Sequence, residues 1–81
     1  MICNTKKRKL NNIKLSRDEY DLLVVLSNEQ ITTYKEICKY VYGYYTEICL
    51  KHLKYNLETK GVKIQNITGV GFKLKTKILW I

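Results

Sequence analysis

Residues 46–75 read TEICLKHLKYNLETKGVKIQNITGVGFKLK, and the spacing of the apolar side chains changes partway along this stretch. In the first half, inward-facing residues recur every three or four positions, as on one side of a helix: Thr46, Leu50, Leu53 and Leu57. After Gly61, apolar and polar residues alternate, which is typical of a β-strand. The stretch therefore predicts a helix that begins at Tyr45 or Thr46 and ends near Lys60, followed by a β-hairpin.

The predicted hairpin has one apolar face and one basic face. Its strands span Val62–Ile67 and Val70–Lys75, and Thr68 and Gly69 form the turn between them. Because side chains alternate along a strand, the apolar pair falls on one face and the lysines on the other. The apolar pair is Phe72 and Leu74, and the lysines are Lys73, Lys75 and Lys77.

Two helices are predicted upstream of this stretch, each opened by a capping box. Ser16 and Glu19 have the spacing of the first box, and this helix runs to about Ser27. Its predicted apolar stripe is Tyr20, Leu23, Val24 and Leu26. Thr33 and Glu36 form the second box. That helix runs to Tyr42, with Gly43 as a left-handed C-cap and an inner face of Ile37, Cys38 and Val41.

The two ends of the chain complete the predicted fold. Arg8–Leu10 and Ile13–Leu15 form a very short hairpin, because the two asparagines between them tolerate the positive φ angles of a tight turn. Residues 1–9 form either a flexible basic arm that grips phosphates or a frayed terminus. The apolar extension 76–81 adds a strand to the core or forms a dimer contact. The order hairpin, three helices, hairpin predicts one α+β domain over residues 1–81, a winged helix-turn-helix with its third helix in the DNA major groove.

The net charge of +8 is unevenly distributed along the 81 residues. Residues 1–17 and 59–81 contain no acid, so all seven acidic residues lie between Asp18 and Glu58. Basic segments of this kind favour a nucleic acid partner. The sequence has neither an apolar run of the roughly 20 residues that span a bilayer nor a signal peptide. We therefore expect a cytoplasmic protein without a membrane partner.

Cofactors, metals and catalysis find little support in the sequence. The three cysteines are odd in number and lack CxxC spacing, which favours free thiols in a reducing compartment. Cys49 and His52 lie three residues apart, but this is not the spacing of a known zinc site. The chain contains no P-loop, nucleophile elbow or HExxH motif. We expect no cofactor, no metal and no enzymatic activity.

Four segments are similar to the C-terminal DNA-binding domain of OmpR/PhoB-type response regulators. They are LSRDEYDLL at 15–23, YVYG at 40–43, LKHLKYNL at 50–57 and ITGVGFKL at 67–74. Together they cover about residues 13–75, in the order and spacing of the family. The family carries arginines where this chain has lysine or histidine on the third helix, and an arginine where it has Thr68. The family's four-stranded N-terminal sheet is expected here as a single hairpin.

This resemblance implies sequence-specific binding of duplex DNA, often at direct repeats. Ile48 matches a position that meets a thymine methyl or a sugar. Lys51, His52 and Lys54 match positions that contact phosphates or base edges, while Asn66 and Thr68 match wing positions near the minor groove. The full set of candidate DNA-contacting residues is Tyr45, Ile48, Lys51, His52, Lys54, Tyr55, Asn66, Thr68 and Lys73.

The expected partners follow from this interpretation. Double-stranded DNA is the first, and a homodimer, tandem copies on direct repeats, RNA polymerase or another regulator are the others. The alternative function is a winged-helix protein-interaction module without DNA binding, since a fold does not fix a function. The charge of the third helix and of the wing distinguishes these two functions, because a basic surface favours DNA. Both elements are expected to be basic.

Overall fold

The helices form where the sequence provides caps and helical spacing of apolar residues. The computed structural model describes residues 1–28 and 30–81. Within them the three helices are α1 (Arg17–Leu26), α2 (Tyr34–Val41) and α3 (Glu47–Thr59). The strands are β1 (Ile2–Asn4), β2 (Lys9–Leu10), β3 (Ile13–Lys14), β4 (Thr32–Thr33), β5 (Ile64–Ile67), β6 (Gly71–Leu74) and β7 (Leu79–Trp80). This α+β arrangement, with a small N-terminal sheet and the β5–β6 hairpin after α3, confirms the predicted winged-helix fold.

The capping box predicted at the start of α1 is present. The Glu19 carboxylate accepts from the Ser16 N–H at 2.8 Å, and the Ser16 hydroxyl accepts from the Glu19 N–H at 3.2 Å. The buried face of α1 consists of Glu19, Leu22, Leu23 and Leu26. The predicted stripe was therefore wrong in part, because Leu22 is buried, Tyr20 packs only at the margin of the core, and Val24 is half-buried outside it. Because the acidic residue Glu19 occupies a core-facing position, the apolar residues alone suggested a stripe displaced by one residue from the face that is buried.

Helix α2 begins with only half of its predicted capping box. The Thr33 hydroxyl accepts from the Glu36 N–H at 3.2 Å, but it also donates to the Glu36 carboxylate at 3.0 Å. The Glu36 carboxylate is thereby held at the side chain of Thr33 and not at its backbone N–H, as a full capping box would require. The backbone of Thr33 belongs to β4 and pairs with Gly71. Helix α2 ends at Val41, one residue before the predicted end, and Gly43 follows with the predicted left-handed conformation, at a φ of +82°.

Helix α3 matches the predicted helix in its bounds and its buried face. Leu50, Leu53 and Leu57 are buried, and Thr46 is the half-buried N-cap without a side-chain hydrogen bond to the helix. The hydroxyl of Tyr42, at the end of α2, donates to the Cys49 carbonyl at 3.2 Å. Burial raises the pKa of Tyr42 to about 12, so this hydroxyl keeps its proton at neutral pH.

The C-terminal hairpin is part of a three-stranded antiparallel sheet with the order β4-β6-β5. Its strands are shorter than predicted. Val62 precedes β5, and Val70 lies in the turn, where its N–H donates to the Ile67 carbonyl at 2.9 Å. Gly69 has a φ of +78°, which suits the third position of such a turn. This hairpin is called the wing below.

The N-terminal sheet is larger than the single hairpin predicted from the sequence. The expected pair β2–β3 is present, with Asn11 and Asn12 at positive φ, but β1 and β7 extend it to the order β3-β2-β1-β7. Residues 1–9 are therefore strand and turn, not a flexible arm or a frayed terminus. The predicted extra strand in 76–81 is confirmed as β7, which runs parallel to β1 and places the Trp80 ring 6.0 Å from that of Tyr20.

A buried ion pair connects α1 to the end of α3. The Glu19 side chain is 6% exposed, and its carboxylate accepts a hydrogen bond from the Lys60 ammonium at the C-cap of α3. Burial raises the pKa of Glu19, but the hydrogen bonds from Lys60 and Ser16 outweigh it, so that the pKa lies below its ordinary value. Glu19 therefore stabilises the fold while it is ionised.

We predict that Lys60→Met lowers the free energy of unfolding by about 1–3 kcal/mol at pH 7, because it leaves a buried carboxylate without its partner. A lowered folded-state pKa contributes stability that is present above the unfolded pKa and is lost as the pH falls through the folded value. The cost of Lys60→Met should therefore shrink below about pH 4, as measured by urea unfolding. Lys51→Met is the control, since Lys51 pairs with an exposed glutamate. Equal costs of the two variants at every pH would contradict this role of Glu19.

We also predict that Gly71→Ala disrupts the attachment of the wing. A Cβ at this position would lie 1.9 Å from the Thr32 carbonyl oxygen and 2.8 Å from the Thr33 Cα. Because backbone atoms cannot move aside cheaply, urea unfolding should show a loss of about 3 kcal/mol or more. Gly69→Ala is the control. A Cβ there meets no atom within 4 Å, and only its positive φ is strained, at about 1 kcal/mol. A smaller loss for Gly71→Ala than for Gly69→Ala would refute the argument.

Candidate nucleic-acid interface

The side of α3 that faces away from the core is fully open to solvent. Ile48 is 72% exposed and Tyr55 is 65% exposed, although both are large and apolar. With Lys51 and His52 they line a shallow depression along the helix. The core-facing leucines of α3 fix this orientation, because they lie on the opposite side of the helix. The structure thus brings four of the predicted contact residues together on one surface.

A groove of about 660 Å³ separates α3 from the wing. The wall formed by α3 and the loop before it includes Tyr45, Glu47, Leu50, Lys51, Lys54 and Glu58. The opposite wall includes Tyr34 from α2 together with Asn66, Thr68, Gly69 and Phe72 from the wing. The predicted residues Tyr45, Asn66 and Thr68 therefore share this groove with the helix lysines. Lys51 borders both the groove and the open face of α3.

Lys54 lies deeper than expected for a residue that contacts phosphates. Its side chain is 20% exposed, and its ammonium donates to the Glu58 carboxylate at 2.9 Å. The same ammonium lies 5.9 Å from the centre of the Phe72 ring, within range of a cation–π interaction. Lys54 therefore joins α3 to the wing at the floor of the groove, and its charge is partly engaged within the protein.

The third helix is electrically balanced, not basic as the sequence analysis took it to be. Between residues 47 and 59 its two lysines are matched by two glutamates. Lys51 lies 3.5 Å from Glu47, and Lys54 lies 2.9 Å from Glu58. Each lysine is four residues from its glutamate, so the two side chains of a pair meet on the helix surface and their charges offset each other. Exposed pairs of this kind contribute about 0–1 kcal/mol, so a phosphate can displace the carboxylate from Lys51.

Tyr34 positions the wing and was missed by the sequence analysis. Its hydroxyl hydrogen-bonds the Asn66 side chain and lies 3.1 Å from the Ile67 carbonyl, and its ring packs edge-on against Phe72 with centroids 5.5 Å apart. The Tyr34 N–H donates to the Val70 carbonyl at 3.2 Å. These contacts span more than thirty residues of sequence, so no local pattern could have revealed them. Asn66 is consequently held in place before any ligand binds.

Lys73 lies on the other side of the wing from the groove. Asn66 is paired with Phe72 and Gln65 with Lys73. Because side chains alternate across a sheet, Asn66 shares the groove-facing side with Phe72, and Lys73 shares the outer side with Gln65. Lys73, which the sequence predicted opposite Phe72, therefore does not border the groove, and its contact with a DNA backbone stays a prediction for the outer side of the wing.

The cysteines and the histidine do not converge. Cys3 and Cys38 are buried and Cys49 is exposed, and all three are free thiols. Burial raises the pKa of the Cys3 thiol, so it is not a reactive thiolate at neutral pH. Across residues 1–28 and 30–81, no three His, Cys, Asp or Glu side chains are grouped so that they could hold a metal ion. Nor does any helix of that part combine the length and apolar character needed to cross a membrane.

No protein-family model matches the chain, and a comparison with curated proteins found no match. The likeness to the OmpR/PhoB-type DNA-binding domain therefore rests on the four motifs quoted above. What the arrangement offers chemically is an open helix face beside a groove with donor groups on both walls.

Proposed function

We propose that this chain binds double-stranded DNA and regulates transcription by occupying its site. The observation that carries the proposal is the open face of α3, which runs without interruption into the groove bordered by the wing. An exposed helix of 13 residues fits the width of the major groove, and a flanking hairpin then meets the adjacent backbone.

The contacts divide into those that position the protein and those that read the sequence. Lys51 and the donors at the tip of the wing, Thr68 and the Gly69 backbone, would bind phosphates. Ile48, His52 and Tyr55 lie on the outermost face of α3 and would meet base edges or thymine methyl groups. The lysines that follow α3 in the acid-free segment 59–81 add a sequence-independent attraction. Lysine lacks the bidentate fork of arginine, so modest selectivity is expected from one copy.

A second candidate function is the protein-interaction module, and the surface of α3 favours it to some degree. The helix is electrically balanced, and four large residues at or near it are more than half exposed: Tyr44, Tyr45, Ile48 and Tyr55. Aromatic and aliphatic side chains of this kind are enriched at protein interfaces. The first experiment below separates the two functions.

We predict that fluorescence anisotropy with random-sequence duplex DNA detects binding that weakens steeply with salt. If about four to six phosphates are neutralised, the logarithm of the binding constant should fall against the logarithm of the salt concentration with a slope of about −4 to −5. A slope of this size supports DNA binding and justifies selection of a preferred site from a random library. No binding even at low salt would contradict the proposal and favour the protein-interaction module.

We predict further that Glu47→Gln increases the affinity for DNA by about two- to fivefold. Glu47 is 3.5 Å from Lys51 and competes with a phosphate for it, and an exposed pair is worth up to about 1 kcal/mol. Asp21→Asn is the matched control, because it removes the same charge from α1, where the partner is Arg17. An equal gain from both variants would show that only the net charge matters and that α3 does not lie on the duplex.

A further inference from the structure

The outer face of the N-terminal sheet exposes an apolar strip that no element of the described structure covers. The strand pairing places Ile2 beside Leu79 on this face, while Cys3 and Trp80 point into the protein. Ile2 is 47% exposed, and Leu79 and Ile81 are each 62% exposed. The chain ends are fixed here, since the Ile81 carbonyl accepts from the Thr5 N–H at 2.9 Å. The strip is therefore an ordered surface.

Cations lie beside this strip, on the side of β2 and β3. Ile2 and Ile81 share a hollow of about 360 Å³ with Lys7, Lys9 and three asparagines. Lys9 is directly opposite Lys14 in the β2–β3 pair, and like charges in that position destabilise a sheet. Residues 1–17 contain no acid, and none of the described acids forms an ion pair with a lysine or arginine of residues 1–14. The fold thus holds uncompensated positive charge around exposed aliphatic side chains.

We propose that this face docks an acidic segment of a partner protein whose carboxylates are interspersed with aliphatic side chains. A protein interface usually has an apolar centre and a polar rim, and here the polar side chains beside the strip include the lysines of β2 and β3. Carboxylates on the partner would neutralise Lys7, Lys9 and Lys14 and relieve the repulsion across β2 and β3. A DNA backbone offers the anions but no apolar surface to cover Ile2, Leu79 and Ile81, so the exposed aliphatic strip favours a protein.

This docking face is separate from the surface proposed for DNA. None of the residues that border the groove or the open side of α3 belongs to β1, β2, β3 or β7. A duplex held by α3 and the wing would therefore leave the face free, and a partner could bind at the same time. The proposal does not depend on DNA binding, and each could fail alone.

The test uses fluorescence anisotropy with a short labelled peptide in which Glu and Asp alternate with Leu and Val. A matched peptide replaces Leu and Val with Ser. The intact chain should bind the first peptide at least about threefold more tightly than the second, because only the first covers the aliphatic strip. The triple variant Lys7→Ala, Lys9→Ala, Lys14→Ala should bind the first peptide about tenfold more weakly, at roughly twofold for each exposed ion pair.

The control is the triple variant Lys63→Ala, Lys73→Ala, Lys75→Ala, which removes the same charge from the wing and should leave peptide binding within about twofold of the original chain. Equal weakening by the two triple variants, equal binding of the two peptides, or no peptide binding at millimolar concentration would each overturn the proposal. The same variants are titrated with duplex DNA. If the Lys7, Lys9 and Lys14 variant loses DNA affinity as strongly as the wing variant, this face belongs to DNA and the proposal is wrong.

Discussion

The carboxylate of Glu19 holds the helices in their relative positions. It closes the capping box at the start of α1 through Ser16 and also receives the Lys60 ammonium from the end of α3. Two helix ends that are 41 residues apart in sequence are thereby fixed at one buried point. The leucines of α1 and α3 supply the apolar area and keep one side of α3 against the core, while the buried ion pair requires one geometry at the helix ends. The direction of the open face of α3 depends on both.

A second constraint determines where the wing lies. Strand β4 approaches β6 so closely at Gly71 that no side chain fits between Thr32 and this residue. Tyr34, immediately after β4, then packs on Phe72 and hydrogen-bonds Asn66. The start of α2 and the wing are joined in this way, and the groove beside α3 has a fixed width. If the proposed function is right, a site assembled from such preset parts would need little rearrangement to bind a duplex.

Local patterns accounted for the helices, their caps and the wing, because these elements depend on neighbouring residues. The capping residues and the glycines at positions 43 and 61 define the helix ends, and the alternation around Phe72 defines its strand. Contacts between distant segments could not be predicted. The pairing of β1 with β7 joins the two ends of the chain, so residues 1–9 lacked any local sign of order. The alternation of side chains along the wing was enough to place Lys73 opposite Phe72. Lys54 was placed on the correct helix, but its surroundings depend on the ion pair with Glu58 and on the distant Phe72 ring.

The charge distribution divides the molecule into surfaces with different properties. The cations of α3 are balanced by Glu47 and Glu58, whereas those of the wing and of the N-terminal sheet lie in segments without acids. Under the proposed function, α3 would make the selective contacts and the wing would supply the general attraction. The most direct test of this account is a titration of the 15N-labelled protein with short duplex DNA at low salt, followed by amide chemical shifts. The account predicts shifts at residues 45–55 and 66–69 and none in the N-terminal sheet. Shifts confined to the N-terminal sheet, or no shifts at all, would contradict it.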